Sequence, residues 1–236
     1  MRALAEVGLF SAGIIHEVKN ALQGIANALF LLDREKDLQP RAREWIGVAR
    51  RELSRAFAVS RETLALVREE SAVPVRITDV LEDVLSAYAA KIGHKGVTIE
   101  RRYDFDGTIH ADPGAVRQVF SNIVLNALES LPDRAGKLTI HTRACHVGER
   151  GNVRRAKAVR GVRILFADNG PGIPQQNRRK VFEPLFSTKE GKGSGLGLWI
   201  TQQLVRKQHG GLRFRSSDKP HSSGTCFQVF LPLNHN

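Results

Sequence analysis

Cysteine is almost missing from this chain: Cys145 and Cys226 are the only two, and they stand in no metal-ligand spacing. The eight histidines are scattered rather than clustered. That usage excludes a disulfide framework and leaves no zinc site to expect. Aromatic residues are scarce too, at 6%, and do not interleave with the basic ones, so the net charge of +12 reads as a solvated surface with no nucleic-acid partner. No run of about eighteen apolar residues occurs and the N-terminus carries no signal-peptide pattern, so a soluble, cytoplasmic protein without membrane contact is expected. What remains is ordinary globular composition, 42% hydrophobic over 236 residues, enough for one large domain or two modest ones.

Chemistry is concentrated between Val162 and Ile200, VRILFADNGPGIPQQNRRKVFEPLFSTKEGKGSGLGLWI. A β-branched run ends in Asp168, a glycine-rich turn follows at Asn169 to Gly172, and Gly191, Gly193, Gly195 and Gly197 lead into an apolar helix. Glycine lets backbone N–H groups approach phosphate oxygens, and a helix N-terminus adds partial positive charge, so GKGSGLGL has the makings of a triphosphate cradle. Lys189 and Lys192 add countercharge. An ionised aspartate at a strand end is acceptor-only and can take a hydrogen bond from an exocyclic amino group such as that of adenine. The basic balance suits both ATP and an acidic protein partner.

The order DNGPGIP, FEPLFSTK, GKGSGLGL resembles the G1, F and G2 boxes of the ATP-binding domain of sensor histidine kinases, within the superfamily of gyrase, mismatch-repair and heat-shock-chaperone ATPases. The resemblance implies an α/β sandwich binding ATP through Asp168, Gly170, Gly172 and Ile173. It adds Gly193, Gly195, Leu196, Gly197 and Leu198 of the second loop, with Lys189 reaching the γ-phosphate. Thr225, in SSGTCFQVFLP, resembles the residue that helps Asp168 hold adenine. Ser187 to Ser194 becomes a mobile lid.

Upstream, apolar residues recur as Val18, Leu22, Ile25, Leu29 and Leu32, and again as Ile46, Ala49, Leu53, Phe57, Leu64 and Val67. These stripes read as a helical hairpin turning at Asp33 to Pro40. Two helices cannot bury both flanks of such stripes, so a homodimer forming a four-helix bundle is expected. His16 lies beside the seam, Glu17 follows it, and Asn20 stacks one turn beyond. SAGIIHEVKNAL resembles the H-box of histidine kinases, which makes His16 the phosphoacceptor. Neutral imidazole is a competent nucleophile near pH 7, and Glu17 can orient the ring and accept its second proton. Asn20 matches the family position thought to place a water when such enzymes dephosphorylate their regulators. Ala21 stands where the family commonly has proline, so a straighter helix is expected there.

Asp112-Pro113 reads as the cap and first position of a helix to about Leu131, carrying QVFSNIVLNALESL. Asn122 and Asn126 share one face and resemble the N-box, with Asn126 as the Mg²⁺ ligand and Asn122 on phosphate or metal-bound water. Gyrase-like and chaperone ATPases carry a glutamate base at the position of Asn122. Asparagine cannot act as a base at neutral pH, which favours transfer to a delivered nucleophile over hydrolysis.

The full expectation is an α+β chain. Residues 1–71 form the dimerisation and histidine-phosphotransfer domain, and 72–236 the ATP-binding catalytic domain. ATP and Mg²⁺ are the implied cofactors and a response-regulator receiver domain the implied partner. Expected elements include a strand at Val75 to Ile77, one helix from Asp79 to about Ile92, a disordered loop from Glu149 to Arg160, and a short helix from Pro174 to Val181. Because the chain starts in the helix of His16, its sensory input is expected elsewhere, on a longer chain or another one.

Overall fold

The computed structural model describes residues 22–25, 27–29, 31–32, 39, 41–49, 52–53, 56, 72–147, 159–184, 186–188, 195–220 and 222–234. His16, Glu17, Asn20, Lys189 and Gly193 lie outside them. The chain divides into two compact units, Met1–Glu69 with Pro184–Gly197, and Glu70–Glu183 with Leu198–Asn236. In the first, residues 22–25, 27–29, 31–32, 41–49, 52–53 and 56 are helical. Ile46 and Leu53, two turns apart on one expected stripe, are buried, whereas the stripe residues Ile25 and Leu32 are 52% and 47% exposed in the single chain.

The second unit is built on a five-stranded mixed sheet. In chain order its strands, with those of a separate two-stranded sheet, are β1 (Val73–Arg76), β2 (Thr98–Tyr103), β3 (Thr108–Ala111), β4 (Lys137–Val147), β5 (Val159–Asp168), β6 (Gly211–Ser217) and β7 (Gly224–Pro232). β1 and β3 pair antiparallel as the small sheet, and the large one runs β2-β4-β5-β7-β6 with only β2 and β4 parallel. Period-two alternation decides which face is buried. Leu138 and Ile140 of β4, Val162, Ile164 and Phe166 of β5, and Val229 of β7 are at most 1% exposed. They are cross-strand partners on one face of the sheet.

Among the described residues four helices belong to this unit or enter it: α1 (Ile77–Ala87), α2 (Ala89–Lys95), α3 (Pro113–Ser130) and α4 (Gly197–Lys207). α3 packs on both α1 and β5, and Phe120 of α3 meets Phe166 of β5 with ring centroids 5.6 Å apart. Asp112 caps α3, its Oδ1 accepting from Gly114 N at 2.8 Å and Ala115 N at 3.3 Å. At the far end Lys95 Nζ donates to the carbonyls of Leu128 and Leu131 at 2.8 and 2.7 Å, closing carbonyls the helix leaves open. The one polar side chain buried in the middle of β4, Thr142, is satisfied by the backbone N–H and carbonyl of Phe105.

Three expectations are corrected. The single helix from Asp79 to Ile92 begins at Ile77 and breaks at Tyr88, whose hydroxyl is tied to Ser121 Oγ at 2.7 Å while the buried stripe ends at Leu85. Pro174 to Val181 holds only one 3₁₀ turn, Gln175–Asn177, followed by further turns. β5 starts at Val159, inside the stretch expected to be disordered, and residues 148–158 lie outside the described ones. Among the described residues no helix is long and apolar enough to cross a membrane.

Because Asp112 satisfies two N–H groups of α3, Asp112→Ala is expected to lower unfolding free energy by about 1 kcal/mol. Urea denaturation should show a lower midpoint at unchanged slope.

Candidate nucleotide-binding site

Asp168 ends β5 in the same alternating series as Val162, Ile164 and Phe166, opposite Leu138 of β4 and Thr225 of β7. The pleat therefore turns a carboxylate toward the helix-covered face where the sheet runs out. Its Oδ1 accepts from Gly170 N at 2.9 Å and Thr225 N at 3.2 Å. Burial pushes this carboxyl above the usual carboxylate range, opposed by the two backbone N–H groups. The result is a fixed acceptor in a partly desolvated place.

The turn behind it is held by backbone contacts that admit no side chain. Gly172 has φ +77°, and a Cβ there would lie 1.9 Å from Ser217 O. At Gly224, φ is +152° and a Cβ would meet Asp168 O at 2.4 Å. Ile173 N donates to Ser216 Oγ at 2.7 Å, and Ser216 Oγ donates to Gly224 O at 3.0 Å. With its one proton spent there, Ser216 accepts from Thr225 Oγ1 at 2.9 Å. Arg178 clamps the same turn, its Nε on Ile173 O and an Nη on Asp218 Oδ1, both at 2.9 Å. Asn169 ties the turn to the start of β4 through Lys137 N at 2.7 Å and Ala135 O at 3.0 Å.

The structure thus gathers Asp168, Gly170, Gly172, Ile173 and Thr225 at one end of the sheet. Sequence spacing does not single out Ser216 and Arg178, because the bonds by which they hold the turn to the last hairpin, Ser216 to Ile173 and Arg178 to Asp218, span about forty residues. Phe182, from the expected F-box, packs edge-on against Phe214 of β6 at 5.7 Å, and Phe214 in turn stacks near Phe227.

On α3, Asn122, Asn126 and Ser130 follow at four-residue spacing and share one face. Ser130 Oγ lies 3.3 Å from where a Gly170 Cβ would sit, so this face runs up to the glycine turn. Asn122 is 8% exposed; its Oδ1 accepts from Gln118 at 2.8 Å and its Nδ2 donates to Thr201 of α4 at 3.2 Å. Asn126 is half-buried, and its amide makes no hydrogen bond among the described residues. An amide oxygen suits Mg²⁺, which takes one or two protein oxygens and completes its shell with phosphates and water. Among the described residues no three His, Cys, Asp or Glu side chains gather into a metal cage. Of the second loop, Gly195 has φ +69° and Leu196 is buried; both belong with Gly197 to the first unit, while Leu198 begins the second part of the other.

Removing the buried charge should stabilise the empty fold and disable the site. The native state keeps the Asp168 proton to higher pH than the unfolded chain does. Stability from this group therefore falls as pH rises from the ordinary carboxylate range through the raised native value. Asp168→Asn is expected to melt higher than the parent above that window, to converge with it as pH falls, and to lose binding of a fluorescent ATP analogue. Ser216→Ala, which loses one hydrogen bond to the turn, should weaken that binding about fivefold.

The sequence profile of histidine kinase-, DNA gyrase B- and HSP90-like ATPases matches residues 111–235, more than half of the chain. The chain is 31% identical over 233 residues to the sensor kinase CckA of Brucella abortus (strain 2308), covering 96% of this chain and 24% of that protein. It is 30% identical over 227 residues to the sensory histidine kinase/phosphatase NtrB of Vibrio alginolyticus, covering 95% and 62%. The chain thus spans between a quarter and three fifths of these two relatives. Full-length ShkA solved in complex with AMPPNP superimposes with a TM-score of 0.70 at 25% identity, over 94% of this chain and 45% of that one. The buried acceptor at the end of β5, the sheet order around it and these likenesses converge, and the chain belongs to the histidine kinase-, DNA gyrase B- and HSP90-like ATPases, on the branch of the two-component sensor histidine kinases.

Proposed function

We propose that this chain is the catalytic core of an ATP-dependent protein-histidine kinase, which transfers the γ-phosphoryl group of ATP to His16. From there the group passes to an aspartate on the receiver domain of a response regulator. The observation that carries this reading is the pairing of Asp168, its Oδ1 fixed by two backbone amides, with an α3 that places asparagines, not carboxylates, at 122 and 126. Asp168 Oδ2 accepts from the exocyclic amine of adenine, and Thr225 and the Gly170–Ile173 turn shape the wall beside it. Glu129, the one acid at the end of α3, is paired with Lys91 at 3.6 Å instead. A site without a general base protects ATP from water.

Asn126 is the residue we assign to Mg²⁺, and Asn122, oriented by Gln118 and Thr201, to phosphate or metal-bound water. Held there, Mg²⁺ would supply neutralisation of the triphosphate's charge. Lys189 and Gly193, with Gly195, Leu196, Gly197 and Leu198, form the phosphate loop and lid. At the acceptor, Glu17 orients the His16 ring and takes the proton from one nitrogen as the other forms the N–P bond. The bond from the γ-phosphorus to its bridging oxygen breaks and ADP leaves. Asn20 is assigned to water placement in dephosphorylating the regulator. Residues 1–71 are the dimerisation and phosphotransfer domain, 72–236 the catalytic domain, and the reaction is cytoplasmic because ATP is the donor. The exposure of Ile25 and Leu32 in the single chain supports a homodimer through the hairpin.

Incubation with γ-labelled ATP and Mg²⁺ is expected to give acid-labile label on the parent protein and none on His16→Gln. Asn126→Asp should label more slowly by on the order of a hundredfold. Equal labelling of His16→Gln, or phosphate release that is indifferent to it, would sink the kinase reading in favour of a free ATPase.

A further inference from the structure

The face of the large sheet opposite the nucleotide site carries four arginines, Arg143, Arg163, Arg213 and Arg215, that are matched by no acid among the described residues. By register, Arg143 of β4 stands directly across from Arg163 of β5, and Arg163 from Phe230 of β7. Two and four residues along lie Leu165, Ala167, Gln228 and Cys226, with Arg213 and Arg215 beyond them on the edge strand β6. Like charges directly opposed in an antiparallel pair repel and destabilise. No ion pair among the described residues relieves Arg143, Arg163, Arg213 or Arg215. The acids nearby are already engaged: Glu100, on the same face at β2, holds Lys137 at 2.7 Å and Arg102 at 3.9 Å, and Asp104 is bonded to His141 at 2.7 Å. The Nε of Arg163 is buried without a hydrogen-bond partner among the described residues. Arg143, Arg213 and Arg215 are exposed, and the short side chains between them are half-buried.

We propose that this face docks an acidic amphipathic helix of a protein partner, with arginines gripping its carboxylates at both ends and Leu165, Ala167 and Cys226 meeting its apolar stripe. Three strand spacings and four residues of rise set the diagonal from Arg143 to Arg215 at about 20 Å, the length of about thirteen helical residues. Charge complementarity selects the occupant, and the face argues against the other polyanions. Its one aromatic, Phe230, is buried, so no ring is offered for base stacking. None of the large exposed hydrophobic side chains of the described residues lies on it, as a lipid surface would need. Because Asp168 faces the other way, docking leaves the nucleotide site open, and the inference does not rest on the kinase reading.

The probe is a fluorescent fourteen-residue helical peptide with Glu on one face and Leu on the other, titrated against the full chain by anisotropy at low and moderate salt. Arg213→Glu/Arg215→Glu is expected to weaken it about tenfold or more. Arg41→Glu/Arg43→Glu, the same charge change made in the other unit, should leave it within twofold, and both variants should bind a fluorescent ATP analogue as the parent does. Arg143→Glu, which turns the repelling pair into an attracting one, should weaken the peptide and raise the melting temperature by roughly 1–3 °C. Equal losses in the two double variants, tighter binding of a DNA duplex or anionic vesicles than of the peptide, competition between peptide and nucleotide analogue, or an unmoved melting temperature for Arg143→Glu would each overturn the proposal.

Discussion

A carboxylate held out of water at the end of a core strand has to be compensated, and Asp168 receives that compensation from the backbone rather than from a cation. Two N–H groups, from Gly170 and Thr225, meet its Oδ1. Both are available only because the chain doubles back behind β5 and because β7 lies alongside it. Gly172 and Gly224 let those backbones approach where a Cβ could not fit. Ser216 then joins the turn to the β6–β7 hairpin with a single hydroxyl that serves three neighbours. Burial still wins in part, since the carboxyl remains harder to ionise than usual. In the proposed reading an adenine amino group completes the set.

The helix layer is organised around the same point. α3 is capped at one end by Asp112 and at the other by Lys95, so its rotation about its own axis is fixed over eighteen residues. Phe120 locks it onto β5, and the asparagine face is thereby delivered to the glycine turn. The amides at Asn122 and Asn126 take their meaning from this placement: four-residue spacing puts them on one face, and packing decides what that face sees.

Much of this was legible in the sequence because it is local. Asp112-Pro113 marks the start of α3, alternation marks β4 and β5, and the glycines after Asp168 mark a turn that only glycine can make. What was not legible depends on residues far apart. The helix after β1 reads as continuous by its period, yet it breaks where Tyr88 reaches Ser121. The segment after Pro174 looks helical by composition, but Arg178 is drawn to Ile173 and Asp218, and the chain keeps only a 3₁₀ turn. The parallel pairing of β2 with β4 is likewise a topological fact with no local signature.

Asp168 and Arg163 sit five residues apart on one strand, an odd number, and so face opposite ways. Parity, more than distance, keeps the two surfaces of this sheet separate. Point substitutions on one surface can accumulate without being felt on the other, so the two can drift under unrelated selection. Loss or gain of a single residue within β5 is different, because it exchanges the occupants of both surfaces at once. Length in this strand should therefore be far less negotiable than composition.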